Sequence, residues 1–210
     1  MMKVAPRMPK VFIEDNNWGF YQIWAGGYDV PGLAFESPPT ILDLGANIGL
    51  ASLYFEARYP GCTIHAYEPN PLNFAALKIN TRGNPKVHHV QKGVRDVSGT
   101  FKLYRGALGH YSDSFYQVEG ETTAEFDMVE AISARDLPPC DVMKLDTEGC
   151  ELEILSTYQH LRHVKAVMLE WHSREDHEKL LHLLTMQRFT ILSDEATCYI
   201  RGDLVAWRQS

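Results

Sequence analysis

At 210 residues the chain is long enough for one full α/β domain and too short for two comfortable ones. Its composition, 45% hydrophobic and 22% charged, is that of a globular protein, and a net charge of −7 argues against a nucleic-acid surface, which needs clustered Lys and Arg. No apolar run approaches membrane length, residues 1–10 lack the apolar core of a secretion signal, and the four cysteines form no C-x-x-C pair. We read a cytoplasmic protein with reduced thiols and no membrane or nucleic-acid partner.

Residues 1–39 hold Pro6, Pro9, Pro31, Pro38 and Pro39 and an aromatic cluster of Trp18, Phe20, Tyr21, Trp24, Tyr28 and Phe35. The spacing fits neither one long helix nor one strand. It predicts an N-terminal cap segment on a single domain spanning 40–210, lying across the domain or its pocket. Plain hydrophobic docking is the simpler of the two roles.

The rest is organised by Thr40-Ile41-Leu42-Asp43-Leu44-Gly45-Ala46-Asn47-Ile48-Gly49. An apolar strand carries one acid, turns on small residues and enters a helix from Leu50 to Arg58. An unpaired carboxylate at a strand end is costly unless something hydrogen-bonds it, so Asp43 is not expected to sit there for packing. Glycines allow a sharp turn and leave space where a Cβ would intrude, and Asn47 tolerates positive φ. A dinucleotide fold wants G-x-G-x-x-G, but those positions here hold Gly45, Asn47 and Leu50. D-x-G-A-N-x-G instead suits a ligand without phosphates, such as S-adenosylmethionine; a purely structural strand-helix turn is the alternative.

Thr63–Tyr67 reads as a second strand, ending in Glu68-Pro69-Asn70-Pro71. Glu68 falls where an acid meets a ribose diol in such folds, and a carboxylate accepts from both hydroxyls at once. Asn70 and Pro71 make a helix start. A third strand, Val87–Val90, leads to Asp96, which could accept from an adenine amine or belong to a plain turn. The expected cofactor set is thus Asp43, Gly45, Ala46, Asn47, Gly49, Glu68, Pro69, Asn70 and Asp96.

Residues 100–137 break the strand-helix rhythm. Thr100–Tyr104 and Phe126–Glu130 alternate like strands, and between them a polar stretch holds His110, Tyr111, Ser112, Asp113 and Ser114. We expect an antiparallel hairpin insertion whose tip folds over the pocket or stays a solvated loop. Rhythm returns with Asp141–Gly149 and a helix through Glu151, Leu155 and Tyr158. Val164–Trp171 is a buried strand, Ser173 caps a helix carrying Leu180, Leu181 and Leu184, and Phe189–Leu192 with Cys198–Trp207 closes the sheet.

Side chains alternate along a strand, so Lys144 and Asp146 share a face, as do Glu170 and His172. If those strands are parallel neighbours, the four groups converge at the rim where open α/β sheets bind ligands. Methyl transfer from a sulfonium to a hydroxyl needs alignment and removal of a proton. His172 is the first choice of base because imidazole titrates near neutral pH, with Asp146 and Glu148 as alternatives. Lys144 would steady an alkoxide or hold Asp146; a buried Lys144–Glu170 pair is the competing structural account. Asp146, Glu148, Glu170 and His172 could also ligate magnesium, but no spacing is a metal signature, and no metal is expected.

I-L-D-L-G-A-N-I-G at 41–49, A-Y-E-P-N-P at 66–71, K-L-D-T-E-G-C-E at 144–151 and L-E-W-H at 169–172 resemble the FkbM family of S-adenosylmethionine-dependent methyltransferases. The resemblance, running from about 40 to 192, implies the Rossmann-like seven-stranded methyltransferase fold: an α/β, mostly parallel sheet with an antiparallel C-terminal strand. It also implies O-methylation of a sugar or natural-product hydroxyl. It carries cofactor roles to Asp43, Gly45, Asn47 and Glu68 and active-site roles to Lys144, Asp146 and Glu148. The chain departs in being short, with a compact aromatic N-terminus. An O-methyltransferase of a small hydroxylated metabolite leads; a non-catalytic cofactor-binding module and a nicotinamide oxidoreductase or epimerase are the other readings.

Overall fold

The computed structural model describes residues 23–106, 113–117, 125–198 and 201–208. Pro6, Pro9, Trp18, Phe20 and Tyr21 of the expected cap, and His110, Tyr111 and Ser112 of the expected insertion tip, lie outside the described residues. The strands in chain order are β1 (Thr40–Leu44), β2 (Thr63–Tyr67), β3 (Val87–Val90), β4 (Gly93–Arg95) and β5 (Gly99–Tyr104). They continue with β6 (Phe126–Ser133), β7 (Val142–Leu145), β8 (Ala166–Trp171), β9 (Thr190–Cys198) and β10 (Arg201–Trp207). The α-helices are α1 (Leu50–Arg58), α2 (Pro71–Asn80), α3 (Glu151–Thr157) and α4 (Arg174–Met186).

Seven strands form the main sheet in the order β3-β2-β1-β7-β8-β10-β9. The first five run parallel, and β10 runs against its neighbours on both sides. This is the mostly parallel α/β sheet that the sequence predicts. Central strands of such a sheet are covered on both faces, which explains the unbroken burial of Ile41–Leu44 and Val142–Leu145. Odd and even positions feed two separate cores. Ile41, Ile64, Val142 and Met168 pack with Phe55 of α1 and Leu77 of α2, while Leu42, Leu44, Met143 and Leu169 pack with Ile154 of α3 and Leu184 of α4.

The caps follow the sequence. Asn70 accepts from the backbone N–H groups of Leu72 and Asn73 with Pro71 opening α2, and Ser173 accepts from Asp176 at the start of α4. From Ile23 onward the N-terminal segment docks on α1: Tyr28 stacks on Phe55, Phe35 meets Tyr59 edge-on, and Asp29 accepts from the Tyr54 hydroxyl at 2.8 Å.

The insertion differs from the expected hairpin. β5 and β6 pair antiparallel as anticipated, but β4 joins parallel to β6, giving a three-stranded second sheet in the order β4-β6-β5. Three residues are too few for alternation to register as a strand. All four cysteines are free, and no described helix is long and apolar enough to cross a membrane.

Candidate active site

At the carboxyl ends of β1, β2 and β7 lies a cleft of about 530 Å³, counting its open mouth, lined by Gly45, Asn47, Glu68, Phe115, Asp146 and Glu148 among others. Its place at the strand ends suits a small-molecule site.

The first turn is built differently from the expectation. Gly45, Asn47 and Gly49 all have positive φ, at +74°, +50° and +90°. The glycines, however, make room for protein rather than ligand. A Cβ at Gly45 would lie 1.8 Å from the Asp146 carbonyl oxygen, and one at Gly49 would lie 2.8 Å from Leu77. The N–H groups of Gly45 and Ala46 both donate to the Tyr67 carbonyl, at 3.1 and 2.9 Å, so the turn is stitched to β2. Gly45 and Asn47 line the cleft; Ala46 and Gly49 do not.

Asp43 corrects the reading further. It is fully buried and does not line the cleft. One carboxylate oxygen accepts from the Ser52 hydroxyl at 2.6 Å, and the other lies 3.7 Å from the Lys144 ammonium. Burial pushes its pKa up, and Lys144 opposes that. Lys144 is equally buried and donates to the Gly45 carbonyl at 2.6 Å while sitting 3.3 Å from Asp146. Asp43 and Lys144 therefore pin the turn from beneath. Neither is placed to grip a ligand or steady an alkoxide, and Lys144 pairs with these acids rather than with Glu170.

Glu68 stands just past the end of β2, on the cleft. The backbone N–H groups of Asn47 and Asn70 donate to its two oxygens, each at 2.8 Å, and the side chain lines the cleft. Each oxygen keeps a free lone pair. Burial pushes its pKa up to about 7 against those two hydrogen bonds. Pro69 lines the cleft beside it. Asn70 does not; its amide donates instead to Asp113 at 2.6 Å. Asp96 is also absent from the cleft, because β4 leaves the main sheet for the second one and carries it away, where its carbonyl accepts from Ser133. The sequence reading missed Tyr67, Asn73, Val94, Leu103, Phe115 and Thr147, which complete the wall. Phe115 had one signal: a Cβ at Gly93 would meet its ring at 2.3 Å, so that glycine exists for the ring. Asp113 and Phe115 place the described part of the insertion on the cleft.

Opposite Glu68 the wall is acidic. Glu148 has a positive φ of +53°, and its turn is fixed by Glu151, which accepts from the Thr147 N–H at 2.8 Å and the Thr147 hydroxyl at 2.9 Å. His172, at the end of β8, places Nε2 3.2 Å from Glu148 and 3.8 Å from Glu170, and Nδ1 3.4 Å from Glu151. Glu170 also lies 3.4 Å from Arg201. The parallel β7–β8 pairing brings Asp146, Glu170 and His172 together, as the strand alternation predicted, and the turn after β7 adds Glu148, which alternation did not include.

The protonation of His172 does not follow the prediction. Burial lowers its pKa, but Glu148 and Glu151 outweigh that and push it up to about 11. An imidazole so surrounded holds its proton at neutral pH, so His172 alone is not the free base expected. Glu170 moves the other way from an ordinary acid: burial and the nearby Asp146 raise it to about 8.

Residues 43–192 match the model of the methyltransferase FkbM domain. The chain is 28% identical to methyltransferase sdnD of Sordaria araneosa, over 80% of each chain. It is 24% identical to 31-O-demethyl-FK506 methyltransferase FkbM of Streptomyces tacrolimicus, over 78% of this chain and 77% of that one. Among solved structures it resembles fibrillarin of Aeropyrum pernix, crystallised with natively bound S-adenosyl-L-methionine, at a TM-score of 0.51 and 11% identity over 84% of this chain and 70% of that one. These matches overturn the nicotinamide oxidoreductase reading. The chain belongs to the FkbM family of methyltransferases, and S-adenosylmethionine is the cofactor of that family.

Proposed function

We propose that this methyltransferase acts on a hydroxyl oxygen of a small molecule, a natural product or a sugar. One observation carries the reading: Glu68, with its free lone pairs, and the acids Asp146 and Glu148 face one another across a single cleft. The residues present fit the cofactor. Glu68 would accept from both ribose hydroxyls, while Val94, Leu103 and Phe115 offer apolar surface to a base. When bound, S-adenosylmethionine supplies a sulfonium-activated methyl that passes to an acceptor oxygen, leaving the neutral thioether. The chain's own part is to orient the acceptor and take its proton. Asp146 and Glu148, which line the cleft, are the candidates for that proton, and Lys144 holds Asp146 in place. The name of the Streptomyces relative, which specifies an O-demethyl substrate, supports oxygen as the acceptor atom.

The test has two parts. Calorimetry should find one site for S-adenosylhomocysteine, with affinity reduced in Glu68→Gln. A panel of hydroxylated acceptors, incubated with labelled methyl donor and analysed by mass spectrometry, should yield a product with the methyl on oxygen. Transfer only to nitrogen or carbon acceptors would refute the oxygen assignment.

A further inference from the structure

The acid turn after β7 and the end of β8 gather four carboxyl groups around one imidazole. Asp146, Glu148, Glu151 and Glu170 surround His172, and beyond it the fixed cations in contact, among the described residues, are Lys144 and Arg201. Lys144 is already committed to Asp43 and the Gly45 carbonyl beneath the turn. Meanwhile both ring nitrogens of His172 are buried without a hydrogen-bond partner, since the carboxylates near them are poorly angled for one. Buried polar atoms left in this state are costly and call for a role.

We propose that Asp146, Glu148 and His172 form a binding site for a divalent cation of the Mg²⁺ or Mn²⁺ class, which receives the acceptor's hydroxyl. One ligand atom from each residue lies within 4.8 Å of the others, a spread that a carboxylate rotation closes to the roughly 3–4 Å separating ligands around one ion. Two carboxylates with one imidazole, which gives up the proton it otherwise holds as the ion binds, make a hard set with a borderline member, suited to Mn²⁺ and tolerant of Mg²⁺. Three protein ligands leave positions open for water or substrate. Asp146 and Glu148 line the cleft, so those positions face the space an acceptor would enter. A hydroxyl bound there loses its proton more readily, the proton passing to an adjacent carboxylate or to solvent as the oxygen takes the methyl. Glu151 acts as a positioning residue: it ties the Thr147 turn while facing Nδ1 of His172, which leaves Nε2 for the ion.

The consequence for catalysis rests on the methyl-transfer reading, but the site does not. Chelator-treated protein titrated with MnCl₂ alone, followed by the loss of the free-ion electron paramagnetic resonance signal, should show one saturable site. His172→Gln and Glu148→Gln should each weaken it roughly tenfold or more, while Glu178→Gln, an exposed acid on α4, should leave it unchanged. Mn²⁺ should also raise the unfolding temperature of the wild type and not of the variants. Circular dichroism checks each fold; if His172→Gln fails it, Glu148→Gln decides the matter. Absence of saturable binding at millimolar Mn²⁺, or equal binding by folded variants, overturns the proposal. If S-adenosylhomocysteine still binds in that event, the methyltransferase reading stands and the cation site alone falls.

Discussion

The two walls of the cleft are finished to different degrees. On the β1–β2 side Glu68 takes two backbone donors, Asn70 caps a helix, and the Gly45 and Ala46 amides share one carbonyl. On the β7–β8 side a histidine stands among acids with its nitrogens unmatched. A satisfied wall is preorganised for a hydrogen-bonding group such as a ribose diol and stays the same through turnover. An unsatisfied one stores electrostatic cost that a reacting partner relieves, which is where chemistry is expected. Changes on the first wall should therefore alter donor affinity, and changes on the second should alter turnover.

Asp146→Asn carries the largest expected effect. It keeps the shape of the second wall but removes a charge, and kcat should fall by about 10²–10⁴-fold with S-adenosylhomocysteine affinity nearly intact. A matching loss of donor affinity in calorimetry would erase the distinction between the walls. Gly45→Ala attacks the seam where the walls touch. Its φ of +74° and the 1.8 Å approach to the Asp146 carbonyl should cost roughly 2–4 kcal/mol of stability. Gly83→Ala, with nothing within 4 Å of the new methyl, should stay within about 0.5 kcal/mol in the same denaturant titration.

The two walls were also unequally legible in the sequence. Strand positions along the chain, helix starts and Glu68 are local: apolar periodicity, Asn70-Pro71 and an acid at a strand end carry them. The convergence of Lys144, Asp146, Glu170 and His172 was legible because alternation and parallel pairing are rules of geometry. What each group does there was not. Asp43 looked like a ligand contact, yet whether a strand-end acid faces out or under depends on Lys144, which lies 101 residues on in sequence. His172 looked like a base because its protonation is set by Glu148 and Glu151, whose approach depends on a non-glycine residue at positive φ. Phe115 and β4 were missed because a short strand and a lone aromatic leave no periodic trace.

Glu68 supplies a pH test of the satisfied wall. Its pKa, raised to about 7, means that the folded protein keeps this proton after the unfolded chain has lost it. The associated stability is present in full below the ordinary carboxylate range and is lost as pH rises through about 7. Ligand binding has the opposite preference, because only the ionised carboxylate accepts from both hydroxyls. S-adenosylhomocysteine should bind several-fold more tightly at pH 8 than at pH 6, releasing a proton near neutrality. Calorimetry in buffers of different ionisation enthalpy measures that release, and Glu68→Gln should abolish it.

The smallest effect on turnover belongs to Ser114, which joins the insertion to the second wall. Its hydroxyl donates to the Glu148 carbonyl at 2.6 Å and accepts from the Tyr116 N–H, while its neighbour Asp113 accepts from Asn70 on the first wall. One short segment thus touches both sides of the cleft. Ser114→Ala deletes a neutral hydrogen bond, about 1 kcal/mol, and frees the strained Glu148 turn. If the walls are independent, kcat should fall about fivefold while donor affinity holds. If donor affinity drops with it, residues 113–116 couple the walls, and the cleft works as one unit rather than as a fixed seat facing a reactive rim.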